Sequence, residues 1–164
     1  MKLAISTLSV LPIVFLCVAA LAAGQQDPAA ARQLAEARAL IQESQHTIVR
    51  EELRLSAEEA AAFWPLYERY RDALQPIQDR YVDMIVEYMR HYEAGQFSEE
   101  YAERMLDDYF QIKSGLLRER RSFIPRFGEI LPKRKVALFY QLENKFFANI
   151  DAELALSVPL IETN

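Results

Sequence analysis

Ten apolar positions, Ala60, Phe63, Tyr67, Tyr70, Leu74, Ile77, Tyr81, Met84, Tyr88 and Tyr92, follow one another at alternating intervals of three and four residues. A stripe with a period of about 3.5 residues has to face another helix, so this segment belongs to a helical hairpin or a helical dimer. The stripe also restricts the chemistry. Its polar groups are tyrosine hydroxyls, with no nucleophile, base or metal ligand gathered beside them. Carboxylate pairs elsewhere, such as Glu58-Glu59, Glu99-Glu100 and Asp107-Asp108, are adjacent in sequence, which on a helix turns them about 100° apart. Acid-base catalysis needs convergent groups, and the expectation is a protein that is not an enzyme and carries no cofactor.

The start of the chain bears on where it acts. Lys2 precedes an apolar stretch from Leu3 to Ala23, broken only by Ser6, Thr7, Ser9 and Pro12 and closed by small residues. This is the pattern of a signal peptide, with cleavage after Ala22 or Gly24. Residues 1–24 are accordingly assigned to a signal and residues 25–164 to a single all-helical domain, exported to the periplasm and not inserted in a membrane after cleavage. A retained anchor is the competing reading, weakened by Pro12 and the small-residue exit. Cys17 is the one cysteine, so a cleaved chain has no disulfide or thiolate site, and its fold must rest on packing. About 140 residues suffice for a core of that kind.

Helix punctuation divides the remainder. Asp27-Pro28 opens a first helix that runs to about Arg50, with a thin apolar stripe of Leu34, Ala37, Ile41 and Ile48. Leu53-Arg54-Leu55 breaks the pattern. Ser56-Ala57-Glu58-Glu59 is a capping box for a second helix that extends to about Tyr92 and stops at Gly95. The seam continues past Pro65 and Pro76, so the helix is expected to bend there without ending. Ser98 caps a third helix whose apolar positions include Met105, Tyr109, Ile112, Leu116 and Phe123, interrupted by Glu119, with a bend at Pro125. The short loop makes helices two and three an antiparallel pair, which places Glu119 near Arg71 or Gln75. Pro132 starts a last helix carrying Val136, Phe139, Leu142, Phe146, Ile150 and Leu154. The predicted fold is all-α, a bent antiparallel hairpin of long helices with one further helix at each end, about four in all.

The formal charge of −5 argues against general nucleic-acid binding. Between Lys113 and Lys135, however, eight cations face only Glu119 and Glu129. This segment is read either as a solvated helix face answering acidic residues on a neighbouring helix, or as a docking surface for an acidic partner or anionic lipid head groups. Trp64, Phe110, Phe147, Arg118, Arg121 and Arg126 lie off the seams and are the candidates for a partner surface. His46 and His91 are the two histidines. Glu87 and His91 share a helix face, but so few nitrogen ligands make a poor transition-metal site, and His91 is expected to face solvent near a helix end.

Leu53-Arg54-Leu55-Ser56-Ala57-Glu58-Glu59 and Ile130-Leu131-Pro132-Lys133-Arg134-Lys135, each heading a helix, resemble degenerate copies of the Leu-Thr-x-x-Gln motif. That motif marks the periplasmic Spy/CpxP family, relatives of the metal-responsive ZraP and CnrX proteins. Ser56 and Glu59 replace threonine and glutamine in the first copy, and Pro132 and Lys135 replace them in the second. The resemblance spans residues 30 to 155. It implies a thin antiparallel homodimer that shields unfolded client proteins or modulates an envelope stress response. A metal-responsive sensor and a dedicated adaptor for an envelope complex are the alternatives.

Overall fold

The computed structural model describes residues 28–161. The signal peptide assigned to residues 1–24 lies outside them, as do Asp27 and the side chains of Leu34 and Ala37. Among the described residues the fold is all-α. There are four long helices, α1 (Pro28–Leu53), α2 (Ala57–Glu93), α3 (Glu99–Ser122) and α5 (Lys133–Ser157), with one short helix, α4 (Ile124–Ile130), between α3 and α5. The chain forms two compact units, one built from residues 53–140 and the other from 28–52 with 141–160.

The first unit is organised by α2, 37 residues long and therefore about 55 Å from end to end. Its capping box is complete: Ser56 Oγ accepts from the Glu59 amide, and the Glu59 carboxylate accepts from the Ser56 amide. The helix passes through both Pro65 and Pro76 without ending. Phe63, Tyr67, Tyr70, Leu74 and Tyr88 of the seam are buried, and the other five positions are half-buried. At its C-terminus the Gly95 amide donates to Tyr92 O and the Gln96 amide to His91 O. This double closure requires a left-handed residue, and Gly95 supplies it at φ +62°.

Helix α3 starts at Ser98, whose hydroxyl accepts from the Tyr101 amide, and returns antiparallel along α2. The register is fixed by Arg104–Glu87 (3.1 Å), Arg80–Asp108 (3.7 Å) and the Tyr81–Tyr109 ring contact. Gly115 is buried opposite Ile77. Arg71 does not reach Glu119 as the register suggested. Its guanidinium turns to Glu68 one helical turn away and over the Tyr67 ring.

The bend expected at Pro125 is a break. Pro125 has no N–H to give the carbonyl of Arg121, so α3 stops at Ser122 and α4 begins at Ile124. The preceding carbonyl, Arg120 O, accepts from the Tyr140 hydroxyl at 2.7 Å, which ties α5 to the end of α3. Phe123 and Phe127 are thereby held against Phe63, Tyr70 and Phe139, with ring centroids 4.8 to 5.7 Å apart. Phe63, Tyr67, Tyr70, Phe127 and Phe139 have no exposed surface. Burial of each contributes about 1.5–3 kcal/mol, and the edge-on geometry of several pairs adds to this.

The two motif copies meet in this unit. Lys135 Nζ donates to the Glu59 carboxylate and to Arg54 O, so the start of α5 grips the turn that opens α2. Arg54 is the described non-glycine residue with positive φ (+45°), and the lysine bond holds its carbonyl in that conformation. The hydrogen bond from Lys135, followed by that from the Ser56 amide, draws the Glu59 carboxyl below its ordinary 4.5.

In the second unit Gln45 of α1 donates its side-chain amide to the Glu143 carboxylate of α5. Glu143 is 1% exposed, and a buried carboxylate needs such donors. Val49 and Phe146 are the buried apolar residues beside them in sequence.

A Cβ at Gly115 would meet Ile77 Cγ2 at 3.7 Å, an ordinary contact, so Gly115→Ala should raise stability by about 1 kcal/mol in denaturant unfolding; a loss would mean that the helices approach more closely. Because folding lowers the Glu59 pKa, its contribution is complete above pH 4.5 and disappears as pH falls through the folded value. Stability measured against pH should therefore lose part of its acid-side decline in Glu59→Gln, whereas unchanged curvature would show that the Lys135 contact does not respond to titration.

Candidate binding surface

Helix α3 has two apolar faces. One packs on α2. The other carries Leu106, Phe110, Leu117 and, past the helix end, Ile124, which are 53%, 66%, 67% and 45% exposed. Their spacing of four, seven and seven residues keeps them in one line on a helix. Phe123 retains right-handed backbone angles (φ −87°, ψ −13°), so Ile124 stays close to that line despite the break. Lys113 and Arg121 interleave with the apolar side chains.

Charge is distributed unevenly along this face. Glu99, Glu100, Glu103 and Asp107 are at or near its N-terminal end, and Arg118, Arg120 and Arg121 at its C-terminal end, an arrangement that the helix dipole favours. The basic segment only partly matches the expectation of a face answering acidic neighbours. Lys135 pairs with Glu59, Lys113 stands 4.3 Å from the Tyr81 ring centroid, and Arg126 stands 4.5 Å from that of Phe123. Among the described residues the side chains of Arg118, Arg121, Lys133 and Arg134 form no ion pair or hydrogen bond.

The sequence candidates fall in different places. Phe110 and Arg121 lie on the exposed α3 line, with Arg118 at its edge. Arg126 borders a surface groove of about 280 Å³ that Ala62, Leu66, Arg69, Glu129 and Ile130 complete. Trp64 is half-buried, its ring edge-on to Phe63 at 5.1 Å and to Tyr67 at 5.5 Å, and so belongs to the margin of the aromatic core. Phe147 is half-buried in the second unit, 5.9 Å from Phe146. Leu106, Leu117 and Ile124 were not among the candidates. Their signal is a second three-four line on α3, hidden because the helix already had one seam to explain.

His91 is not the solvent-facing residue expected. It is half-buried, stacked on Tyr101 at 3.9 Å, with Nδ1 2.8 Å from Gln96 O and Nε2 3.9 Å from Glu87. Glu87 is in turn bonded by Arg104. Burial, reinforced by Glu87 and opposed by Arg104, pushes the Tyr101 phenol up to about 12. These contacts explain His91 as part of the hairpin end. Among the described residues no three His, Cys, Asp or Glu side chains gather into a metal-holding group, and no helix is long and apolar enough to cross a membrane. Comparison of the chain with family models, curated proteins and solved structures found no match.

Calorimetric titration with zinc, copper or nickel should give no micromolar binding that depends on His91. A His91→Ala-sensitive site in that range would restore the metal-sensor reading.

Proposed function

We propose that this chain is an exported, non-enzymatic protein of the cell envelope that binds unfolded or partly folded proteins, in the manner its resemblance to the Spy/CpxP family implies. The supporting observation is the line of Leu106, Phe110, Leu117 and Ile124 exposed along α3. An extended row of large apolar side chains on a soluble helix marks an interaction surface, and interleaved arginine supplies adaptable polar contacts. Such a face takes apolar client segments without demanding one sequence. The resemblance adds a homodimer, which would present the face twice.

The test is suppression of aggregation of unfolded model clients by the chain beginning at residue 25. The wild type should suppress, and Leu106→Ser with Phe110→Ser should reduce suppression severalfold. Both side chains are exposed, so the melting temperature should stay nearly unchanged, within about 0.5 kcal/mol of stability. No suppression over a broad set of clients, or full activity in the double variant, would reject the reading.

A further inference from the structure

The basic end of the α3 face supports a second interaction, separable from client binding. From Leu117 to Arg134 the chain carries six cations against two carboxylates, in a protein whose formal charge is −5. Arg118, Arg121, Lys133 and Arg134 make no ion pair or hydrogen bond from their side chains among the described residues. Leu117 and Ile124 stand exposed with Arg121 between them, one helical turn from each. We infer that this end of the hairpin docks on an anionic lipid surface, with Leu117 and Ile124 entering the headgroup layer and Arg118 and Arg121 meeting lipid phosphates.

The choice of occupant rests on charge and shape. Unneutralised guanidinium groups pair with phosphate through forked hydrogen bonds, and their aliphatic stems lie along apolar surface while the heads reach outward. Leu117 and Ile124 project from the outside of a helix, where a surface of many mobile anions engages every cation at once. Helices that lie in a membrane interface combine apolar and cationic side chains in this way. The acidic residues Glu99, Glu100, Glu103 and Asp107 oppose such contact at the other end of α3, which confines docking to the C-terminal half. Leu106 and Phe110 remain available for clients, and the inference does not depend on client binding.

Vesicle sedimentation tests it, using the chain from residue 25 onward so that the apolar residues 3–23 do not insert by themselves. Vesicles of phosphatidylglycerol mixed with phosphatidylcholine should bind the protein, and phosphatidylcholine alone should not. Added salt should weaken binding. Charge reversal in Arg118→Glu and Arg121→Glu together should weaken it more than about tenfold, while the two arginine-to-lysine changes retain most of it. Leu117→Ser with Ile124→Ser should weaken it severalfold at constant charge. Circular dichroism establishes that each variant is folded, and the lysine variant separates charge from the shape of the arginine side chains. Absence of binding, equal binding to neutral vesicles, or undiminished binding of the folded charge-reversed variant would overturn the inference. So would binding to polyglutamate without binding to anionic vesicles, which would make an acidic polypeptide the occupant.

Discussion

The packing of Phe63, Tyr67 and Tyr70 on Phe127 and Phe139 is the contact on which the first unit depends. These five rings belong to α2, α4 and α5, and all are fully buried. Their union brings the beginning of α2 to the helices that follow α3 and so closes the hairpin at its open end. Near the turn a smaller ring cluster joins α2 to α3: Tyr88 and Tyr101 are buried against Phe97 with ring centroids 5.3 and 5.0 Å apart, beside Arg104–Glu87 and the stack of His91 on Tyr101. Exposed ion pairs contribute about 0–1 kcal/mol each, so stability in this unit is concentrated where the rings are.

That concentration has a consequence for the outer face of α3. The inward line of Tyr101, Ile112 and Phe123 is buried, whereas Leu106, Phe110, Leu117 and Ile124 keep 45–67% of their surface exposed. Their exposure has to be explained outside the fold. Arg118, Arg121, Lys133 and Arg134 likewise form no ion pair or hydrogen bond from their side chains among the described residues. Lys135 is the counterexample within the same segment: its pairing with Glu59 and Arg54 O makes it part of the scaffold.

Much of this was legible in the sequence because the determining signals are local. The three-four seam, the capping box at Ser56, the stop at Gly95 and the cap at Ser98 each act within one or two helical turns, and each sits in the structure where the sequence puts it. The contacts between distant residues were not legible. Gln45 with Glu143 joins positions 98 apart, and Lys135 with Glu59 positions 76 apart. No periodicity announces which buried carboxylate will meet which amide. At Pro125 the sequence marks the lost hydrogen bond but leaves bend or break undecided. The Tyr140 bond to Arg120 O accompanies the break. Trp64 was misleading for a simple reason: one position off a seam is about 100° around the helix, yet an indole is large enough to lean back onto Phe63 and Tyr67.

The central claim is that the outward face of α3 receives other proteins. A photo-crosslinking residue placed at Leu106 or Phe110, on the exposed line, can be compared with one at Asp72 or Asp83, exposed on α2. In the presence of an unfolded client, the account predicts adducts from positions 106 and 110 and few from 72 and 83. Adducts equally abundant at all four, or confined to α2, would contradict it.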